Sequence, residues 1–341
     1  MSNGIESVEK PESRERRQAL FYLRLTIGLL ILIAALSQVD WREVLDVFKG
    51  VNLVPILVVY FIWMVVAVVN ACRFKVVAEE PRKNIPIYFA LHLIFKGFFS
   101  NIVMPARSGG DLVRIYHTRR IIPLPGLILS LFVDRLAGLL MIYLLAAMGL
   151  FLFAPPMSYW FWQMFAMVSA FVAGLVAILF FPFPGRLALR IADRFRFTKM
   201  PDFIRNISSG RNIFRAYKEK LSRLIPLIIA SHLLGVIMFW LLSKSLNMNL
   251  LFSDFFWISP VLSIALLVPL SVSDLGVQEG VLAYLMGFLG VEFSAAIALA
   301  ILYRVVQTSF SLVTGLAWLR AVKYPPAATT DTPGDPVPQN I

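Results

Sequence analysis

The chain has 341 residues, 59% apolar and only 15% charged, with a mean hydropathy of +0.76. These proportions exclude a soluble enzyme, a secreted disulfide scaffold and a disordered protein, and point to a polytopic membrane protein. A net charge of +12 would suggest nucleic acid in a soluble protein. Here the positive-inside rule accounts for it, and no nucleic-acid partner is expected.

Residues 1–19 form a polar N-terminal segment expected in the cytoplasm, and 20–37 is the first apolar run, long for a cleaved signal and therefore expected as a retained span. The run 51–71 carries no charge, and Pro55 falls in its first turn, where proline is tolerated. The basic group Arg73, Lys75, Arg82 and Lys83 follows it and is expected on the cytoplasmic side. From Leu136 to Gly185 fifty residues pass without an Asp, Glu, Lys or Arg, broken only at Pro155-Pro156. At roughly 20 apolar residues per membrane helix, 126–153 and 159–181 are two spans and a tight turn. The stretch 182–223 holds eleven Lys and Arg against three acidic residues, so it is expected in the cytoplasm. Its apolar residues Leu187, Leu189, Ile191 and Phe195 suggest an amphipathic helix on an anionic membrane surface. Spans at 224–243 and 295–319 complete the clear set, and 321–341 is a Pro-rich tail expected to be disordered and cytoplasmic.

Two regions, 86–120 and 255–290, fit no simple span. Parity between flanking loops requires an even number of crossings in each. The first carries Lys96, Asp111, Arg114 and Arg119, too much charge for two lipid-facing helices, so a re-entrant hairpin is the more economical reading. In the second, parity alone leaves a hairpin or two short spans. With both termini inside, cytoplasmic segments hold 25 of the 32 Lys and Arg and outside loops hold 3. The expected fold is an all-α polytopic membrane protein with six full spans and two oppositely oriented re-entrant hairpins. The membrane domain spans 20–320.

The two regions share a pattern. One turns at Pro105-Ala-Arg107-Ser-Gly109-Gly110-Asp111-Leu-Val-Arg114, the other at Pro269-Leu-Ser271-Val-Ser273-Asp274-Leu-Gly276-Val-Gln278-Glu279. Each has a proline closing one limb, small residues at the break and a carboxylate opening the next limb. Each is followed by a span with an arginine, Arg135 or Arg304. Inverted repeats with broken helices are the architecture of many secondary transporters. A helix that begins inside the membrane offers unpaired N–H groups and a positive dipole end, so the limbs starting near Gly110 and Gly276 are candidate anion sites. Arg107 and Arg114 would add donors suited to phosphate.

Each candidate also has a structural reading. Asp111 caps a helix or takes part in transport. Asp134 and Arg135 are functional intramembrane ions or structural partners, Arg135 pairing with Asp111. Glu279 needs a partner such as Arg304. His92, Lys96 and Ser100 share one helix face. Trp41, Tyr159, Trp160 and Trp318 fit an interfacial aromatic belt.

The run Asn101 to Arg114, with Gly109-Gly110-Asp111 at its centre, resembles the lysylphosphatidylglycerol synthase transmembrane family, also described as flippase-like. Leu275 to Gly280 and Tyr303-Arg304 resemble that family's second motif, where members carry glycines at the positions of Ser273 and Asp274. The resemblance covers roughly 20–320. It implies a lipid translocator of the bacterial inner membrane, with Asp111, Arg135 and Glu279 at functional positions. It also implies a stand-alone member lacking the aminoacyl-transfer domain. The expected substrate is a phospholipid or other anionic lipid, with no cofactor and no catalysis. A membrane enzyme or accessory subunit acting on a polyprenyl- or hopanoid-linked intermediate is the alternative. A lipid-modifying enzyme partner and a homo-oligomer stay open.

Overall fold

A computed structural model describes residues 41–79, 85–103, 109–119, 121–122, 124–180, 210–267 and 274–317, with the isolated positions 26 and 37. These residues form ten helices and, among them, no strand: α1 (Trp41–Lys49), α2 (Leu53–Val77), α3 (Ile87–Val103), α4 (Gly109–Thr118), α5 (Leu124–Phe153), α6 (Tyr159–Phe180), α7 (Gly210–Ser245), α8 (Phe252–Ala265), α9 (Val277–Gly287) and α10 (Phe293–Ala317). Most of the expected first span 20–37, most of the basic loop 182–223, and the tail 321–341 lie outside the described residues, as do Arg107 and Trp318.

Among the described residues, four helical segments are long and apolar enough to cross a membrane: Leu53–Val77, Gly126–Phe153, Glu219–Ser245 and Phe293–Ala317. At 1.5 Å per residue the 25 residues of α2 measure about 37 Å, more than the roughly 30 Å hydrocarbon core. The α2 N-terminus is capped by Asn52, whose side-chain oxygen accepts from the Val54 N–H at 3.0 Å. Two boundaries differ from the sequence reading. Helix α2 runs beyond 71 to Val77 and so takes Arg73 and Lys75 out of the expected loop, because nothing before Ala78 breaks the helix. Helix α7 begins at Gly210, so the end of the basic loop continues into the span as one helix of 36 residues, with Pro226 inside it.

Helices α4 and α9 are different. With 10 and 11 residues they measure about 15 and 16 Å, half a membrane core. Helix α4 folds back against α3 at very close range. A Cβ on Gly109 would lie 2.6 Å from the Ser100 backbone, and one on Gly97 would lie 3.0 Å from the Gly110 Cα. Glycine at these positions is what lets the two backbones approach. The Gly110 N–H donates to the Asn101 side-chain oxygen at 2.8 Å across the same contact.

The halves α2–α5 and α7–α10 are laid out alike. Helix α2 packs on α7, α3 packs on α10, and α8 packs on α5, while each short helix packs on the long helix that follows it. Helices α2 and α7 are antiparallel: the Asn52 N–H meets the Ser245 carbonyl at 2.9 Å at one end, and Arg223 pairs with Glu79 at 2.8 Å at the other. Aromatic side chains fill the crossings. Trp63 of α2 and Phe98 of α3 both contact Phe310 of α10, at 5.6 and 6.2 Å between centroids. Phe239 of α7 stacks on Tyr303 of α10 at 4.2 Å.

In both halves a glycine on the long helix receives the hairpin limb of the other half. A Cβ on Gly149 would sit 2.7 Å from the Phe256 carbonyl oxygen, and one on Gly315 would clash with Phe99. Gly174 of α6, by contrast, has nothing within 4 Å. Gly149→Ala should therefore destabilise the fold by about 1–3 kcal/mol through overpacking. Gly174→Ala should leave it unchanged or slightly more stable. Unfolding temperatures of the two purified variants in one detergent check this, and equal melting temperatures would contradict the packing.

Candidate functional site

The carboxylates of the two short helices occupy the same helical position. Asp111 is the third residue of α4 and Glu279 the third residue of α9. Each reaches an arginine on the following long helix, Asp111 to Arg135 over 24 residues and Glu279 to Arg304 over 25. The Arg135 Nε donates to Asp111 Oδ2 at 2.9 Å, with Nη2 closing on the same oxygen. The other oxygen of Asp111 takes Arg114 Nη1 at 3.3 Å. Arg304 donates through Nη2 to Glu279 Oε2 at 3.1 Å and through Nε to Oε1. The partners expected for Asp111 and Glu279 are those the structure brings together.

The second cluster is closed. The Glu279 side chain is only 3% exposed, and its Oε2 also accepts from the Gly276 N–H at 2.9 Å. Arg304 Nη2 donates in addition to the Asp274 carbonyl at 3.0 Å. The candidate anion site near Gly276 is thus corrected: this chain's own carboxylate fills it, because a glutamate at the third helical position reaches back to the residue preceding the helix. Asp274 sits at φ 58° and Gly276 at φ 79°, both in the left-handed region that favours glycine. Asp274 is buried and contributes its backbone bend and carbonyl to this cluster. The start of α4 is also partly spent, since Asn101 takes the Gly110 N–H. Gly109 and Gly110 act through close packing.

The first cluster is larger and open. Asp134, the neighbour of Arg135 on α5, is buried and accepts from Arg73 Nε of α2 at 2.6 Å. Arg73 Nη2 also donates to the Asp134 backbone carbonyl at 3.3 Å. Gly138, one turn along α5, leaves room for this guanidinium, since a Cβ there would come within 3.1 Å of Arg73 Nη2. The Arg114 guanidinium lies over the Phe74 ring at 5.4 Å. Asn70, Arg73, Phe74, Val77, Arg114, Asp134 and Arg135 line one cavity of about 120 Å³. Among the described residues, three guanidinium groups here face two carboxylates, those of Asp111 and Asp134, which leaves one net positive charge on them. Arg135 is 59% exposed despite its place in a long apolar helix.

Sequence reasoning missed Asn70, Arg73 and Phe74 as cavity residues. Charge alone places Arg73 in a cytoplasmic loop. The signal was present: Asn70, Arg73, Phe74 and Val77 stand at i, i+3, i+4 and i+7, one face of α2. Arg107 lies outside the described residues. His92, Lys96 and Ser100 sit on α3, each partly buried, and none lines this cavity.

The fold and site define a helical multi-pass membrane protein with paired intramembrane charges. The chain belongs to the lysylphosphatidylglycerol synthase TM region family, which matches residues 21–315 and makes it a membrane protein related to lipid handling. A comparison with curated proteins found no match.

Removing one partner of a buried ion pair leaves the other uncompensated, at a cost of about 3–5 kcal/mol. Glu279→Ala should reach that range, and Glu279→Ala with Arg304→Ala should regain most of it. Asp111→Ala should cost clearly less, because Arg135 already faces outward. Denaturant or thermal unfolding of the three variants tests the ranking; an Asp111→Ala loss equal to that of Glu279→Ala would refute it.

Proposed function

We propose that this protein is a non-enzymatic lipid translocator that moves a phosphate-bearing lipid between leaflets of the bacterial inner membrane. Six spans, both termini in the cytoplasm, and hairpins α3–α4 and α8–α9 entering from opposite faces form its frame. The positive charge of segment 182–223 favours an anionic leaflet as its partner. The observation that carries this reading is the cavity with one surplus positive charge beside a half-length helix. An arginine inside a hydrocarbon slab needs a carboxylate, water or an anionic headgroup, and Arg135 is more exposed than its pairing with Asp111 alone would require. A headgroup phosphate supplies the balancing charge through the bidentate geometry arginine favours, while the acyl or isoprenoid tails stay in the bilayer. Arg114 and Arg135 hold the headgroup phosphate, and Asp111 orients both guanidinium groups. The sealed pair Glu279–Arg304 couples α9 to α10 as the two halves rock. The antiparallel packing of α2 on α7 supports an inverted repeat, the arrangement used for alternating access.

Leaflet-resolved movement of fluorescent phosphatidylglycerol in proteoliposomes, read by dithionite quenching, tests the proposal. Wild-type protein should accelerate movement over protein-free vesicles, and Asp111→Ala with Arg135→Ala should slow it by about tenfold or more, equivalent to roughly 1.4 kcal/mol of barrier. Unchanged movement in that double variant would refute the reading.

A further inference from the structure

We propose that α2 contributes directly to the anion site, with Arg73 and Asn70 as binding residues for the phosphate group. This rests on the cavity being the headgroup site, but not on translocation itself. Four residues of α2 (Asn70, Arg73, Phe74 and Val77) line the cavity, one more than α4 and α5 supply together. The two bonds Arg73 makes to Asp134 use Nε and Nη2. Nη1 takes part in neither, so Arg73 can add an anion without releasing Asp134. Asp134 is then a positioning residue: it holds the guanidinium against Gly138 and offsets its charge. Phe74 does the same for Arg114 through its ring face.

Asn70 stands one turn before Arg73 and adds an uncharged amide donor to the same wall. The three arginines Arg73, Arg114 and Arg135 come from three different helices, α2, α4 and α5. An anion between them would therefore be held by both a hairpin limb and a full span. About 120 Å³ has room for one phosphate group and not for a diacyl lipid. The tails must lie outside, alongside the exposed side chain of Arg135.

The test measures equilibrium binding to full-length protein in detergent by calorimetry. The probes are short-chain phosphatidylglycerol, inorganic phosphate, and a short-chain diacylglycerol lacking phosphate. Wild type should bind the phospholipid and not the diacylglycerol. Displacement by inorganic phosphate would mean that the phosphate group alone is the ligand; no displacement would mean that the glycerol ester is needed, and either result supports the site. Arg73→Ala alone strands Asp134, so the informative variant is Arg73→Ala with Asp134→Ala, which removes both charges and should keep the wild-type melting temperature.

That double variant should bind the phospholipid at least tenfold more weakly. Asn70→Ala should weaken it threefold or more without altering melting, and Arg73→Lys should restore only part of the affinity. Wild-type affinity in the double variant, alongside lost binding in Arg135→Ala, would overturn the role of α2 while leaving the translocator reading intact. Binding lost as expected, in a protein that moves no lipid between leaflets, would leave this site standing and remove the translocator. No phospholipid binding by wild type would overturn the site.

Discussion

A charge inside an apolar slab must find its partner within the protein, and in this chain that requirement organises the helices. Asp111 and Glu279 each sit at the third position of a short helix, and each is met by an arginine from the long helix that follows. Arg73 and Asp134 add a bond between α2 and α5. An isolated ion here would cost several kcal/mol, while a paired and hydrogen-bonded one is tolerated. Each pair therefore works less as added stability than as a constraint on which helices may neighbour which. The pairs tie α4 to α5, α9 to α10 and α2 to α5, and the apolar surfaces pack within the limits they set.

The two halves share a plan and use it differently. Both place glycines where backbones must touch, as at Gly109 against Ser100 and Gly149 against Trp257. Both interleave, the hairpin limb of one half packing on the last helix of the other. At the second cluster, however, Glu279 satisfies its helix start and its arginine at once, and the site is sealed. At the first, Asp111 is shared by two arginines, a third arginine arrives from α2, and a cavity with surplus positive charge remains. One pattern yields a closed joint in one half and an open pocket in the other. The difference lies in the contacts: Glu279 is buried against Arg304 and the Gly276 N–H, whereas Asp111 is shared by Arg114 and Arg135 beside a cavity that Arg73 also lines.

Much of this was legible in the linear chain. Long uncharged runs announce membrane helices because hydrocarbon admits little else, and α2, α5, α7 and α10 lie where those runs stand. The breaks near Gly109 and Gly276 were visible as prolines and small residues between apolar limbs. The partners of Asp111 and Glu279 could be anticipated, since each intramembrane carboxylate had an intramembrane arginine in the next span. Arg73 could not be placed in this way. By charge it belonged with Lys75, Arg82 and Lys83, and only the continuation of α2 to Val77 turns it toward Asp134. The anion capacity assigned to the start of α9 failed for a related reason: spacing shows where a helix begins but not whether its own glutamate folds back to cap it.

The sequence by itself determined the class of protein, the approximate extent of the long helices and which charged residues would need partners. Those follow from composition and local order, through the cost of exposing polar groups to hydrocarbon. The tertiary structure decided which cluster stays open and which closes. It also decided that α2 forms a wall of the open one and that α2 and α7 run antiparallel in contact. These depend on distances between residues far apart in the chain. Such distances are set by how glycine and aromatic surfaces interlock, which no local spacing encodes.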